Sequence, residues 1–131
     1  MAKSQTGTAL LTSQSLAAGA SNHIRQRLDC TAVDGGIVTM RITNGGTGPT
    51  AQCLGRILVA HKQTSMPATA AEGTGDNDWK QICEFGGTLV ANASTRYSWR
   101  FGPEVAYLEV EMGGNTSQAV TVEAHATTFT Y

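Results

Sequence analysis

Charge is scarce in this sequence. Of its 131 residues only 15% are Asp, Glu, Lys or Arg, against about a quarter in an ordinary globular protein. A helical bundle needs Glu, Lys and Arg on its wet side, so this scarcity argues against one and for strands whose polar faces carry Thr, Ser, Asn and Gln. The formal net charge of -1 provides no general attraction to nucleic acid or to an anionic membrane. Cysteine is sparse as well: Cys30, Cys53 and Cys83 are odd in number and widely spaced, with no C-x-x-C, which excludes a complete disulfide framework. They read as small apolar residues in strands, with one bridge between neighbouring strands left open. The longest clean apolar run, Ile57-Leu58-Val59-Ala60, is far too short to span a bilayer. The opening MAKSQTGTALLTSQ lacks the apolar centre of a secretory signal. On that expectation Asn92-Ala93-Ser94 and Asn115-Thr116-Ser117 are turns, not glycosylation sites.

What the chain does have is alternation with period two. Around His23–Thr31, Ile24, Leu28 and Cys30 share one face, while His23, Arg25, Arg27 and Asp29 share the other. Val38, Met40 and Ile42 alternate with Thr39, Arg41 and Thr43. Cys53, Ile57 and Val59 form one side of the next run. Its other side holds Gln52 and Arg56 but also Leu54 and Leu58, so the middle of this run is apolar on both faces. Trp79, Cys83 and Phe85 fall on one parity. Tyr97, Trp99 and Phe101 oppose Arg96, Ser98 and Arg100. Ala106, Leu108, Val110 and Met112 oppose Glu109 and Glu111, and Val120, Val122, Ala124 and Ala126 oppose Thr121, Glu123, His125 and Thr127. With glycine-rich turns between them, these runs predict an all-β domain, an antiparallel β-sandwich of about seven or eight strands, with the jelly roll as one form it can take. Residues 22–131 make this single domain. Residues 1–21 are expected to be a flexible, extended N-terminal arm outside the body. Residues 63–78 are expected to be a long loop, because they are rich in Ala, Thr, Gly and Asp and show no period.

One stretch imitates a chemical motif. Gly46-Thr47-Gly48-Pro49-Thr50-Ala51 matches the glycine fingerprint of a dinucleotide site. That site requires a helix to follow, its N-terminus receiving the pyrophosphate. Here a β-branched, alternating run follows, so the glycines are expected to form a hairpin loop; Val33-Asp34-Gly35-Gly36 reads as a second hairpin turn. His23, His61 and His125 have no second ligand at metal-binding spacing. There is no G-x-S-x-G. Glu109 and Glu111, roughly 7 Å apart on one strand face, have the separation of a glycosidase pair, but two glutamates on an outward face are expected to serve solubility or edge protection. No enzyme activity and no cofactor are expected. The aromatic parity of Tyr97, Trp99 and Phe101 is the core side, whereas Val105, Tyr107, Phe129 and Tyr131 fall on polar parities and mark a contact surface if exposed. Arg25 with Arg27, and Arg96 with Arg100, share faces suited to an acidic protein partner. Nucleic acid and membrane are not expected partners.

The stretches VTMRITNGGTGPTA and YLEVEMGGNTSQAVTVEA, in a short chain rich in Thr, Gly and Ala, resemble virion structural proteins of tailed bacteriophages, in particular the capsid decoration or cement type. The resemblance is one of texture and architecture across most of the chain and transfers no functional residue. It implies a non-enzymatic protein made in a host cytoplasm and placed on the capsid surface of the virion. There it would bind the major capsid protein and copies of itself, as a dimer or trimer, and stabilise the shell by bridging capsomers. Leu54, Leu58, Tyr107, Phe129, Tyr131, Arg25 and Arg27 are the contact candidates. The alternatives are a carbohydrate- or receptor-binding head of a virion fibre or adhesin, for which a glycan would be the partner, and a head-completion or tail component.

Overall fold

The computed structural model describes residues 2–61, 65–68 and 79–131. Its strands are β1 (Ser4–Leu16), β2 (His23–Asp29), β3 (Gly35–Asn44), β4 (Leu54–Ala60), β5 (Lys80–Gly86), β6 (Ser94–Phe101), β7 (Tyr107–Gly113) and β8 (Val120–Thr130). They form two four-stranded antiparallel sheets in the orders β1-β8-β3-β6 and β2-β7-β4-β5. Of the seven connections only β4–β5 stays within a sheet, and the other six cross from one sheet to the other. This is the eight-stranded jelly roll. The two expected hairpins are corrected accordingly. Val33–Gly36 leads from β2 in one sheet to β3 in the other, and the 45–53 loop leads from β3 back to β4.

The alternating residues meet between the sheets. Val38, Met40, Ile42, Val122, Ala124 and Ala126 from one sheet face Ile57, Val59, Leu108, Val110 and Met112 from the other. Tyr97 and Trp99 on the edge strand β6 pack partly buried against this core, as do Ile24, Leu28, Cys83 and Phe85. The rings of Phe85 on β5 and Tyr97 on β6 stack at 5.6 Å and close one side of the sandwich. Phe85 lies over Gly55 on the neighbouring strand, where an added Cβ would come within 2.1 Å of the ring; the missing side chain makes room for the aromatic one. All three cysteines are free thiols. Burial pushes Cys30 up to about 12 and Cys53 up to about 11, which keeps both protonated and inert.

The N-terminal expectation is corrected. Residues 4–16 are not an arm outside the body but the edge strand β1, paired with β8 from Ser4↔Thr130 to Leu16↔Val120. Leu10, Leu11 and Leu16 insert into the core. The polar first half of this strand, Ser4–Ala9, hid its partner. A strand that buries only three leucines lacks the long alternation that reveals the others. Most of the expected loop at 63–78 lies outside the described residues.

Candidate functional site: the outer faces of the two sheets

The outer face of β2-β7-β4-β5 carries a ladder of opposite charges. Register places Arg25, Glu111, Arg56 and Glu84 side by side across all four strands. Directly opposed unlike charges are the favourable arrangement in an antiparallel sheet. Arg25 Nε donates to Glu111 Oε2 at 2.8 Å, Arg56 Nη1 lies 3.6 Å from Glu111 Oε1, and Arg56 Nε donates to Glu84 Oε2 at 2.8 Å. His23 Nε2 stands 4.0 Å from the same Glu111. In the next row Arg27 Nε donates to Glu109 Oε1 at 3.3 Å. The other Glu109 oxygen is buried with no hydrogen-bond partner among the described residues. Desolvation pushes the Glu109 carboxyl above its ordinary range, against the pull of Arg27.

The Arg27–Glu109 end of this face is covered by the chain itself. Trp79, fully buried, places its ring 5.1 Å from the Arg27 guanidinium and donates its indole N–H to the Pro67 carbonyl. With Met66 it encloses Leu58, Ala60, Ala106 and Tyr107 in a second apolar cluster. Trp79 reaches this outer side because β5 carries a bulge. Ile57 pairs with Cys83 but Leu58 with Gln81, so Ile82 is the extra residue and the parity reverses there. The expected grouping of Trp79 with Cys83 and Phe85 is therefore corrected. So is the expectation that Glu109 and Glu111 are wet: they are 0% and 4% exposed. Leu58 and Tyr107, candidates because their parity looked wet, are 2% and 5% exposed beneath in-chain cover. Val105 is buried too, packed in the main core. Arg25 and Arg27 share the face, as the alternation implied, and both hold carboxylates. Leu54 is half-buried at the start of β4, beside Gly86 and Gly113.

The outer face of β1-β8-β3-β6 is open. Its rows are Thr121–Thr43–Ser94, Glu123–Arg41–Arg96, His125–Thr39–Ser98 and Thr127–Ile37–Arg100. Phe129 continues β8 on this side, edge-to-face with Tyr131 at 5.5 Å and with Lys3 Nζ 5.7 Å from its ring centre. Tyr131 is 67% exposed. The candidates thus divide: Arg25, Arg27, Leu58 and Tyr107 lie on one outer face, and Phe129 with Tyr131 at the end of the other. A groove of about 540 Å³ crosses the open face, lined by Thr12 and Ser13 of β1, Thr39 and Arg41 of β3, Arg96 of β6 and His125 of β8. Two irregularities in β1, between Ala9 and Leu11 and between Leu11 and Gln14, shape its wall. Adjacent Leu10 and Leu11 are both buried, which regular alternation forbids and a bulge permits. That Leu-Leu pair was the only sign of the bulge in the sequence.

Sequence reasoning also missed the β5–β6 loop. Leu89 and Val90 are 55% and 64% exposed, yet the loop is pinned. The buried Asn44 amide donates to the carbonyls of Gly87, Thr88 and Val90 at 2.9–3.1 Å, and Thr88 and Asn92 hold positive φ of 68° and 60°. The glycines that imitate a nucleotide fingerprint form an irregular loop tied to the β7–β8 connection. Thr50 N–H donates to the Thr116 carbonyl at 3.0 Å, and Ala51 bridges Thr116. No helix follows them. Among the described residues no three of His, Cys, Asp and Glu are grouped to hold a metal ion.

No protein-family model and no curated protein sequence matches this chain. Solved structures share its fold. A chain of infectious bursal disease virus, Gx strain, aligns at a TM-score of 0.53 with 8% identity over 98% of this chain. T=1 particles derived from infectious bursal virus align at 0.50 with 7% identity, again over 98%. This chain spans 32% of the length of either virus chain. The K3 cleaved adhesin domain of Lys-gingipain from Porphyromonas gingivalis W83 aligns at 0.50 with 9% identity, over 92% of this chain and 71% of the adhesin chain.

Proposed function

We propose that this protein is a non-enzymatic structural component of a virion, of the capsid decoration or cement type. It binds the major capsid protein and copies of itself and stabilises the shell by bridging capsomers. The observation that carries the reading is the pinned β5–β6 loop. Leu89 and Val90 project into solvent from a backbone whose freedom Asn44 has already removed, so a partner covering them loses little further entropy. The fold shared with virus-particle chains supports the same reading. Phe129 and Tyr131 are further contacts under this proposal and half-buried Leu54 stays a candidate, whereas Arg25 and Arg27 already hold Glu111 and Glu109 and leave the contact set. Leu58 and Tyr107 already have in-chain cover and leave the contact set. The test is co-sedimentation with shells assembled without this protein. Saturable binding that falls when Leu89 and Val90 are both changed to Ser supports the proposal, and a protein that never sediments with such shells sinks it.

A second reading is a carbohydrate- or receptor-binding head of a fibre or adhesin. It is favoured by the open groove of about 540 Å³, a volume usual for small-ligand sites. A glycan screen decides it, with saturable binding as the supporting outcome.

A further inference from the structure

We infer that the groove on the outer face of β1-β8-β3-β6 takes an acidic saccharide, one bearing a carboxylate or sulfate ester, with Arg96 and Arg41 as its anion-binding pair. The inference rests on the second reading above. Its starting point is an electrostatic imbalance. Arg41 and Arg96 are direct cross-strand partners, and like charges so placed oppose folding. Arg41 is engaged by Glu123 at 3.3 Å and by Ser94 Oγ at 2.8 Å. Arg96 has no hydrogen-bond or ion-pair partner among the described residues. One carboxylate therefore faces two guanidiniums in this row, and His125 lines the same groove. On the opposite sheet the corresponding row alternates perfectly in sign, so the excess on this face is not a general habit of the chain. A bound anion between Arg41 and Arg96 would turn the unfavourable pair into a two-sided clamp with charge-assisted hydrogen bonds.

The lining identifies the ligand class. Hydroxyls of Thr12, Ser13 and Thr39 and the Glu123 carboxylate surround the arginines, a mixture of donors and acceptors that matches sugar hydroxyls. A peptide that adds a strand would pair along the free edges of β1 or β6, whereas the groove lies across the outer face between them, over β8 and β3, whose backbones are paired on both sides. Nucleic acid is disfavoured by the net charge of -1. The bulged β1 raises a wall beside the clamp.

The experiment is calorimetric titration of the full chain with two matched pairs: sialyllactose against lactose, and a sulfated heparin disaccharide against its desulfated form. The acidic member of at least one pair is expected to bind about ten-fold or more tightly, and less so as salt rises. Which pair responds tells carboxylate from sulfate. Arg96→Ala should bring the ratio close to one without lowering Tm, while Arg100→Ala, outside the groove, should leave it unchanged. Equal binding of acidic and neutral sugars overturns the charge assignment but leaves the glycan reading standing. No binding by any of the four overturns both. An unaltered ratio in Arg96→Ala overturns the assignment to this groove, and a hexaglutamate peptide that competes as well as the best sugar overturns the ligand class.

Discussion

The two sheets present opposite solutions to the same problem, an arginine on an outward strand face. On β2-β7-β4-β5, Arg27 lies under Trp79 and neutralises Glu109, a carboxylate with no exposure at all. On β1-β8-β3-β6, Arg96 stands in the open beside another arginine. The covered end of the first face behaves as a second, smaller core, with charges paired in-chain and apolar groups enclosed. The second is hydroxyl-rich, accessible and electrostatically incomplete. A face with its own cover and its own counter-ions has little left to offer a partner. A face lacking both is where binding is to be sought.

The largest effect that would test this contrast is expected from Trp79→Ala, which removes the lid of the covered face. Loss of a fully buried tryptophan should cost about 4 kcal/mol, read as a fall in the urea midpoint. A change below about 1 kcal/mol would mean that the cover is not part of the folded core. Arg27→Ala comes next. It leaves Glu109 buried without its cation and should cost about 3 kcal/mol. The double change with Glu109→Gln should recover most of that loss, and failure to recover would show that Arg27 acts through packing alone.

A smaller effect is expected with pH. The folded carboxyl of Glu109 is raised by desolvation, and Arg27 and Arg25 pull it down while Glu111 adds to the rise. The folded state therefore holds this proton more tightly than the unfolded chain does. The stabilisation it adds is complete below the ordinary value of 4.5 and is lost as pH rises through the raised folded value. The stability of the wild type relative to Glu109→Gln should thus decline upward across that window, and a rising difference would reverse the assignment. The smallest effect is expected on the open face. Arg96→Ala should change stability by no more than about 0.5 kcal/mol, with a slight gain if relief of the Arg41 repulsion dominates. A loss as large as that of Arg27→Ala would remove the contrast between the faces.

Much of the architecture was legible in the residues. The alternation assigned Tyr97, Trp99 and Phe101 to the inner side of β6, Val38, Met40 and Ile42 to that of β3, and recognised β4 as apolar on both sides. It failed at bulges and at cover. Ile82 reverses parity within β5, so Trp79 was grouped with the wrong face. The Leu10–Leu11 pair disguised β1 as an arm. The groove was less legible still. Arg96 was visible as an arginine on a wet parity, but its pairing with Arg41 depends on which strand lies beside β6. The pinned Leu89–Val90 loop depends on Asn44, which lies 46 residues before Val90.

By itself the sequence determined that this chain is built from strands, and which side chains share a face along each one. Those are properties of a backbone whose side chains alternate over neighbouring residues. Only the tertiary structure decided that six connections cross between sheets, that Glu109 is dry while Arg96 is wet, and that β1 belongs to the body. Each of these depends on contacts between residues far apart in the chain, and a local period contains no information about what will lie on top of it.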